Sequence, residues 1–133
     1  MKKFLSLCMA ALLCLGLFGC AGSSIVKIGF VGSETAHAWS GRFKSYNGSE
    51  TRQITADGSA MELRCALTAG EGWLGVSVET LDGRQLFSVN TQAGDFSDDS
   101  LRFDLLPGET KYLLRVTGEQ AKNGSFNLDW SFE

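Results

Sequence analysis

The chain predicts an all-β fold, an antiparallel β-sandwich of seven or eight strands behind a helical leader, and three observations point there. From Ala38 onward apolar and polar residues alternate in short runs, the period-two pattern of half-buried strands. Turn dipeptides punctuate those runs at Asn47-Gly48, Asp57-Gly58, Asp82-Gly83 and Pro107-Gly108. The chain has 1 proline, and no window of it keeps a helical period of 3.6 residues.

The leader comes first. Met1-Lys2-Lys3 is cationic, Phe4 to Phe18 is an apolar run, and small residues surround Gly19-Cys20-Ala21. This order is that of a secretory signal, and the run is shorter than the roughly 20 residues a membrane-spanning helix needs. Leu17-Phe18-Gly19-Cys20 resembles the bacterial lipobox, with an aliphatic residue three before the cysteine and a small one just before it. Phe18 is bulkier than that pattern usually carries. The resemblance implies cleavage before Cys20, diacylglyceryl and acyl (palmitate-type) lipid on that cysteine, and an extracytoplasmic protein anchored to a cell membrane or outer membrane. At least two acyl chains would make the anchoring stable. The competing reading is an ordinary secreted chain with a Cys20–Cys65 disulfide, since Cys8 and Cys14 leave with the leader.

The division expected is therefore residues 1–19 as signal peptide, 20–36 as lipidated cysteine, short tether and candidate first strand, and 37–133 as the sandwich. Ala21 to Ser24 reach only about 14 Å when extended. Ile25 to Val31 places Val26, Ile28 and Phe30 on one face if it is a strand; if it is loose, the tether runs on to about Ala36.

Trp39, Gly41, Phe43 and Ser45 share a face of the next strand, and Asn47-Gly48 reads as a hairpin turn. Glu50 to Thr55 returns. Met61, Leu63, Cys65 and Leu67 alternate inward. After Gly70-Glu71-Gly72, Leu74, Val76 and Val78 face the core while Trp73, Ser77 and Glu79 face out. Asp82-Gly83 joins Gln85–Asn90, with Phe87 and Val89 inward, and a polar loop follows from Thr91 to Asp99. Leu101, Phe103 and Leu105 form the next strand. Pro107-Gly108 leads into a strand with Tyr112, Leu114 and Val116 inward. The last strand sets Phe126, Leu128, Trp130 and Phe132 on one face.

The stretch from Phe103 through Pro107-Gly108, Tyr112 and Val116 to Gly118, followed by Gly124-Ser125-Phe126-Asn127-Leu128, resembles the closing strands of bacterial pre-peptidase C-terminal domains and related jelly-roll modules. The resemblance covers about residues 60 to 130 and implies a jelly-roll-like sandwich with accessory or binding work and no catalysis.

Losing Lys2 and Lys3 lowers the formal charge from −3 to −5. An acidic domain is a poor partner for nucleic acid, so no nucleic-acid role is expected. No catalytic residue stands out: His37 is the only histidine, it lies in a polar segment, and no nucleophile stands at a matching spacing. Cys65 alternates with core residues and reads as an inert buried thiol. Zinc lacks ligands, and no cofactor is expected. Calcium is the one metal with candidate donors, on the acidic stretch Asp95, Asp98, Asp99 and Ser100, which equally reads as a solvated loop. Trp73 and Tyr46 fall on the polar sides of their strands, where a ring can stack on a sugar or a partner side chain, and are the candidate ligand-binding residues. Trp39 and Trp130 read as packing. Two functions follow from these residues: a membrane-anchored envelope lipoprotein that binds a glycan, peptide or envelope protein, or a structural lipoprotein whose contact is a strand edge or apolar patch.

Overall fold

The computed structural model describes residues 25–92 and 94–133. The leader, Cys20 and the tether up to Ser24 lie outside them. Eight strands are present in the described residues: β1 (Ile25–Ile28), β2 (Val31–Glu34), β3 (Ala38–Thr55), β4 (Ala60–Thr68), β5 (Glu71–Thr80), β6 (Gln85–Asn90), β7 (Phe96–Asp104) and β8 (Lys111–Phe132). All pairings are antiparallel, and one hydrogen-bonded sheet runs β1-β3-β8-β4-β7, with β2 also on β3 and β5 joining β8 to β6.

The two long strands, β3 and β8, make this sheet into a sandwich. The first half of β3 pairs with the last half of β8, Trp39 opposite Leu128 and Phe43 opposite Gly124, and the second half of β3 pairs with the first half of β8, Glu50 opposite Val116 and Ile54 opposite Tyr112. Between these halves the register slips at Tyr46/Gly48. Gln120, opposite the slip, and Asn123, between the partners of Phe43 and Ser45, adopt φ of 51° and 53°. Strands that pass from one layer to the other turn the corner at such bulges. One arm is then β1/β2–β3–β8–β4–β7 and the other β3–β8–β5–β6, and their inward faces supply a single core cluster.

The sandwich expected from periodicity is present, with the Asn47-Gly48 turn reassigned. Asn47-Gly48 is not a hairpin: β3 continues through it. The two strands expected around Tyr112–Val116 and Phe126–Phe132 are likewise one, because β8 continues through Thr117 to Asn123. The left-handed residues in these segments bend two paired strands and do not reverse either one.

Alternation predicts the inward residues of most strands. Met61, Leu63 and Leu67 are fully buried, as are Leu74, Val78, Tyr112, Leu114, Val116 and Leu128. Trp39 and Trp130 are packed at 5% and 3% exposure. Tyr112 shows why a tyrosine follows the Pro-Gly turn: its hydroxyl accepts from the Leu106 N–H at 3.0 Å and donates to the turn carbonyls of Leu106 and Glu109. The predicted polar loop ends sooner than expected, since β7 begins at Phe96 and its Phe103 stacks on Phe87 at 5.0 Å.

Residues 25–34 belong to the sheet. β1 runs along Ser45–Gly48 and β2 along Trp39–Arg42, both on the outer edge of β3. Their predicted face is corrected by Gly29, which has φ +63°. That left-handed residue interrupts the alternation, so Phe30 turns inward among Tyr46 and Phe126 while Val26 and Ile28 stay 54% and 55% exposed.

Candidate functional site

Strand register assembles a polar platform on the outer face of the β6–β5–β8–β3 arm. On β5, Leu74, Val76 and Val78 point into the core, so Trp73, Gly75, Ser77 and Glu79 point outward. Opposite Gly75 lie Asn90 of β6 and Thr117 of β8, and opposite Thr117 lies Ser49 of β3. The next row is Ser88, Ser77, Arg115 and Thr51; the third is Gln85, Glu79, Leu113 and Gln53. Hydroxyl and amide groups therefore dominate the face. A shallow depression of about 190 Å³ runs over it, bordered by Trp73, Ser88, Asn90, Arg115 and Thr117.

Three details make the platform rigid. A Cβ on Gly75 would lie 2.9 Å from Cζ3 of Trp73, so the indole lies across a position that only glycine leaves free. Arg115 donates to both carboxylate oxygens of Glu79 at 2.9 and 3.3 Å, and Ser77 Oγ donates to the same carboxylate at 3.2 Å. Glu79 is only 13% exposed, so the pair is shielded on one side and the guanidinium is held in place with further N–H donors unused. Ser49 and Thr117 share a hydrogen bond of 2.6 Å. The face thus offers one aromatic ring, fixed hydroxyls and an oriented cation, a set suited to a neutral polyhydroxylated ligand.

Of the two rings expected to face solvent, only Trp73 is partly exposed. Tyr46 is fully buried in the core, with Phe43 at 5.1 Å and Phe30 at 6.2 Å. The prediction extended the alternation of Trp39, Gly41 and Phe43 past residue 45, but the corner resets which side faces in. Tyr46 lands inside and donates its hydroxyl to Glu50 at 2.8 Å. Burial pushes its hydroxyl pKa well above the ordinary tyrosine value, with the Glu50 contact adding to the shift.

The acidic stretch does not converge. Asp95 accepts from the Ala69 N–H at 3.4 Å, and Asp98 accepts from the Ser100 N–H at 3.0 Å. Asp98 and Asp99 sit on β7, at the register slip opposite Leu63/Cys65, and not on a loop. Among the described residues no three His, Cys, Asp or Glu side chains gather as a metal site. Cys65 is inward as predicted, 2% exposed, and burial, with the nearby Asp98 charge, pushes its thiol up to about 12. His37 is exposed, and its carbonyl accepts from the Trp130 N–H at 3.0 Å.

A second cleft, of about 370 Å³, opens between β2 and the second half of β3. Its charges are already matched: Lys27 pairs with Glu50 at 3.0 Å and Arg52 with Glu34 at 2.9 Å. Lys27 also sits 4.2 Å from the centre of the Phe30 ring. These contacts fasten β1 and β2 across the open side of the sandwich.

The platform partners of Trp73 were not found from sequence. Ser88 and Asn90 lay within reach, because Asp82-Gly83 announces the β5–β6 hairpin. Arg115 and Thr117 did not, since nothing local to β5 or β8 says that they pair.

No protein-family model matches the chain, and no curated protein matches it. Among solved structures the chain is similar to the carbohydrate-binding module TmCBM61 in complex with β-1,4-galactotriose, at 11% identity and a TM-score of 0.47, over 85% of this chain and 90% of that one. It is also similar to the enzymatically active domain of bacteriophage CBA120 tailspike protein 4, at 9% identity and 0.45, over 84% of this chain and 19% of that one. A family two carbohydrate esterase from Cellvibrio japonicus follows at 13% identity and 0.36, over 82% and 33%. All three likenesses are weak, with TM-scores below 0.5.

Proposed function

We propose that this chain is a non-catalytic binding module of the bacterial envelope, held on a membrane by lipid on Cys20, that takes a glycan on the Trp73 platform. The observation that carries the reading is Trp73 lying across Gly75, beside Asn90, Ser88, Thr117 and the Glu79-fixed Arg115. A pyranose ring has an apolar face of C–H groups and a rim of hydroxyls. Its apolar face packs on the indole while the rim meets hydroxyl, amide and guanidinium groups already held in position, so little side-chain order is lost on binding.

One stacking ring and a few hydrogen bonds, each contributing about 1 kcal/mol net, correspond to dissociation constants of about 0.1–1 mM per sugar site. The test is a glycan array and calorimetric titration with the mature chain. Binding to an envelope polysaccharide or oligosaccharide is expected, weakened at least about tenfold by Trp73→Ala. Glycan binding that Trp73→Ala leaves unchanged would place the site elsewhere; no binding to any glycan would reject the reading.

A further inference from the structure

Four large apolar side chains are conspicuously exposed among the described residues, and three of them lie together: Val26 at 54%, Ile28 at 55% and Val31 at 64%. Val26, Ile28 and Val31 stand opposite Asn47, Ser45 and Arg42 of β3. Arg42 lies between the buried Gly41 and Phe43 and points outward, so the strip is on the outer side of the β1/β2–β3–β8–β4–β7 arm, along its β1–β2 margin. Exposed Arg42 and Lys44 border it, and neither is in an ion pair among the described residues. Of the acidic groups of this arm, Asp98, Asp99 and Asp104 lie at the far margin on β7, and Glu62 and Asp129 lie on β4 and β8 between the two margins. The aliphatic strip and two cations outside any ion pair among the described residues therefore share the β1–β2 margin, while the charges on the middle strands, such as Arg64 and Asp129, pair with one another.

The chain enters this edge at Ile25, four residues after Ala21 and five after Cys20. A tether that short holds the start of the strip, at Val26, within about 20 Å of whatever carries the cysteine. Aliphatic side chains flanked by Arg and Lys suit a bilayer interface, where the chains enter the headgroup–acyl boundary and the cations meet anionic headgroups. We propose that the β1–β2 margin lies against the lipid bilayer, so that the lipid on Cys20 and the Val26–Ile28–Val31 strip act as one two-part membrane contact. The outward face of the opposite arm, which carries Trp73, is then turned away from that surface. This orientation rests on the proposed anchoring through Cys20.

The full chain, expressed in a host that processes lipoproteins, carries a cysteine-reactive environment-sensitive dye at Ile28→Cys or, on the opposite arm, at Ser88→Cys. Cys65 is 2% exposed and takes no label under native conditions. The protein is reconstituted into vesicles of phosphatidylethanolamine and phosphatidylglycerol containing a doxyl-labelled phospholipid. Flotation and mass spectrometry of Cys20 report the anchor, and quenching by the doxyl lipid and by aqueous iodide reports the position of the dye. The expected result is flotation with lipid quenching at least twofold stronger at residue 28 than at residue 88, and iodide quenching in the reverse order. Flotation with equal lipid quenching at the two sites overturns the orientation and leaves the anchor standing. A dye at residue 28 shielded from both quenchers assigns the strip to a protein partner, such as a second copy, and overturns the proposal equally. An unmodified Cys20 with no flotation overturns the anchor and the orientation together.

Discussion

Cys65 and Tyr46 are the two buried side chains whose ionisation is most strongly opposed by their surroundings, and both act at alkaline pH. Each is an acid whose pKa is raised on folding, so the folded chain keeps a proton that the unfolded chain releases. Their neutral forms stabilise the fold at and below neutral pH, and that contribution is lost as pH rises above 9.0 for Cys65 and above 10.0 for Tyr46. Each pH unit above 9.0 removes on the order of 1 kcal/mol through Cys65 alone, up to its folded value near 12. Denaturant midpoints should therefore fall steeply between about pH 9 and 11. Cys65→Val, of similar volume and without the thiol, should show a shallower fall; an unchanged slope would deny the thiol its part. Tyr46→Phe removes only the hydroxyl bonded to Glu50 and should cost about 1 kcal/mol at neutral pH by urea unfolding. Trp73 behaves differently, being only partly covered: Trp73→Ala should cost glycan affinity and little stability, at most about 2 kcal/mol in the same assay.

At the scale of elements, β3 and β8 decide the architecture, and they are where local reading of the sequence meets its limit. Alternation identified the inward residues of β4, β5 and the first half of β8, because each packs one face on the core and shows water the other. It failed at residue 46 for a physical reason. Where β3 turns the corner, with left-handed Asn123 opposite its Phe43–Ser45 stretch, the inward side changes, and period two carries no record of where such a change falls. Asn47-Gly48 has the composition of a reversing turn, and the same tolerance for left-handed backbone serves a corner between layers. Which of the two forms depends on β8, whose Gln120 N–H donates to Asn47 Oδ1 at 3.0 Å, a partner 73 residues away. The platform escaped for the same cause: Trp73 was legible as an outward ring, while Arg115 and Thr117 reach it only through long-range pairing. The corner makes its own prediction. Gln120 sits at φ 51°, so Gln120→Val should destabilise by about 1–3 kcal/mol, whereas Gln120→Gly should leave stability within about 1 kcal/mol, read as urea midpoints.

The whole molecule is two-sided. One arm of the folded sheet presents the aliphatic β1–β2 margin beside the chain entry, and the other presents hydroxyls, amides, Arg115 and a single partly exposed indole. A module tethered by a lipidated cysteine and facing a glycan-rich envelope has a use for both. Residues 1–24 lie outside the described residues, so the proposed anchor at Cys20 rests on the sequence alone, while the platform rests on the fold. The binding claim is the central one, and the arrangement of tryptophans gives it a direct optical test. Trp39 and Trp130 are 5% and 3% exposed, so collisional quenching by acrylamide reports chiefly on Trp73. Titrating a binding oligosaccharide into the mature protein should lower the acrylamide quenching constant to that of the Trp73→Ala variant. Saturating oligosaccharide that leaves the quenching constant of the unmutated protein unchanged would show that the sugar does not cover Trp73, and would contradict the assignment.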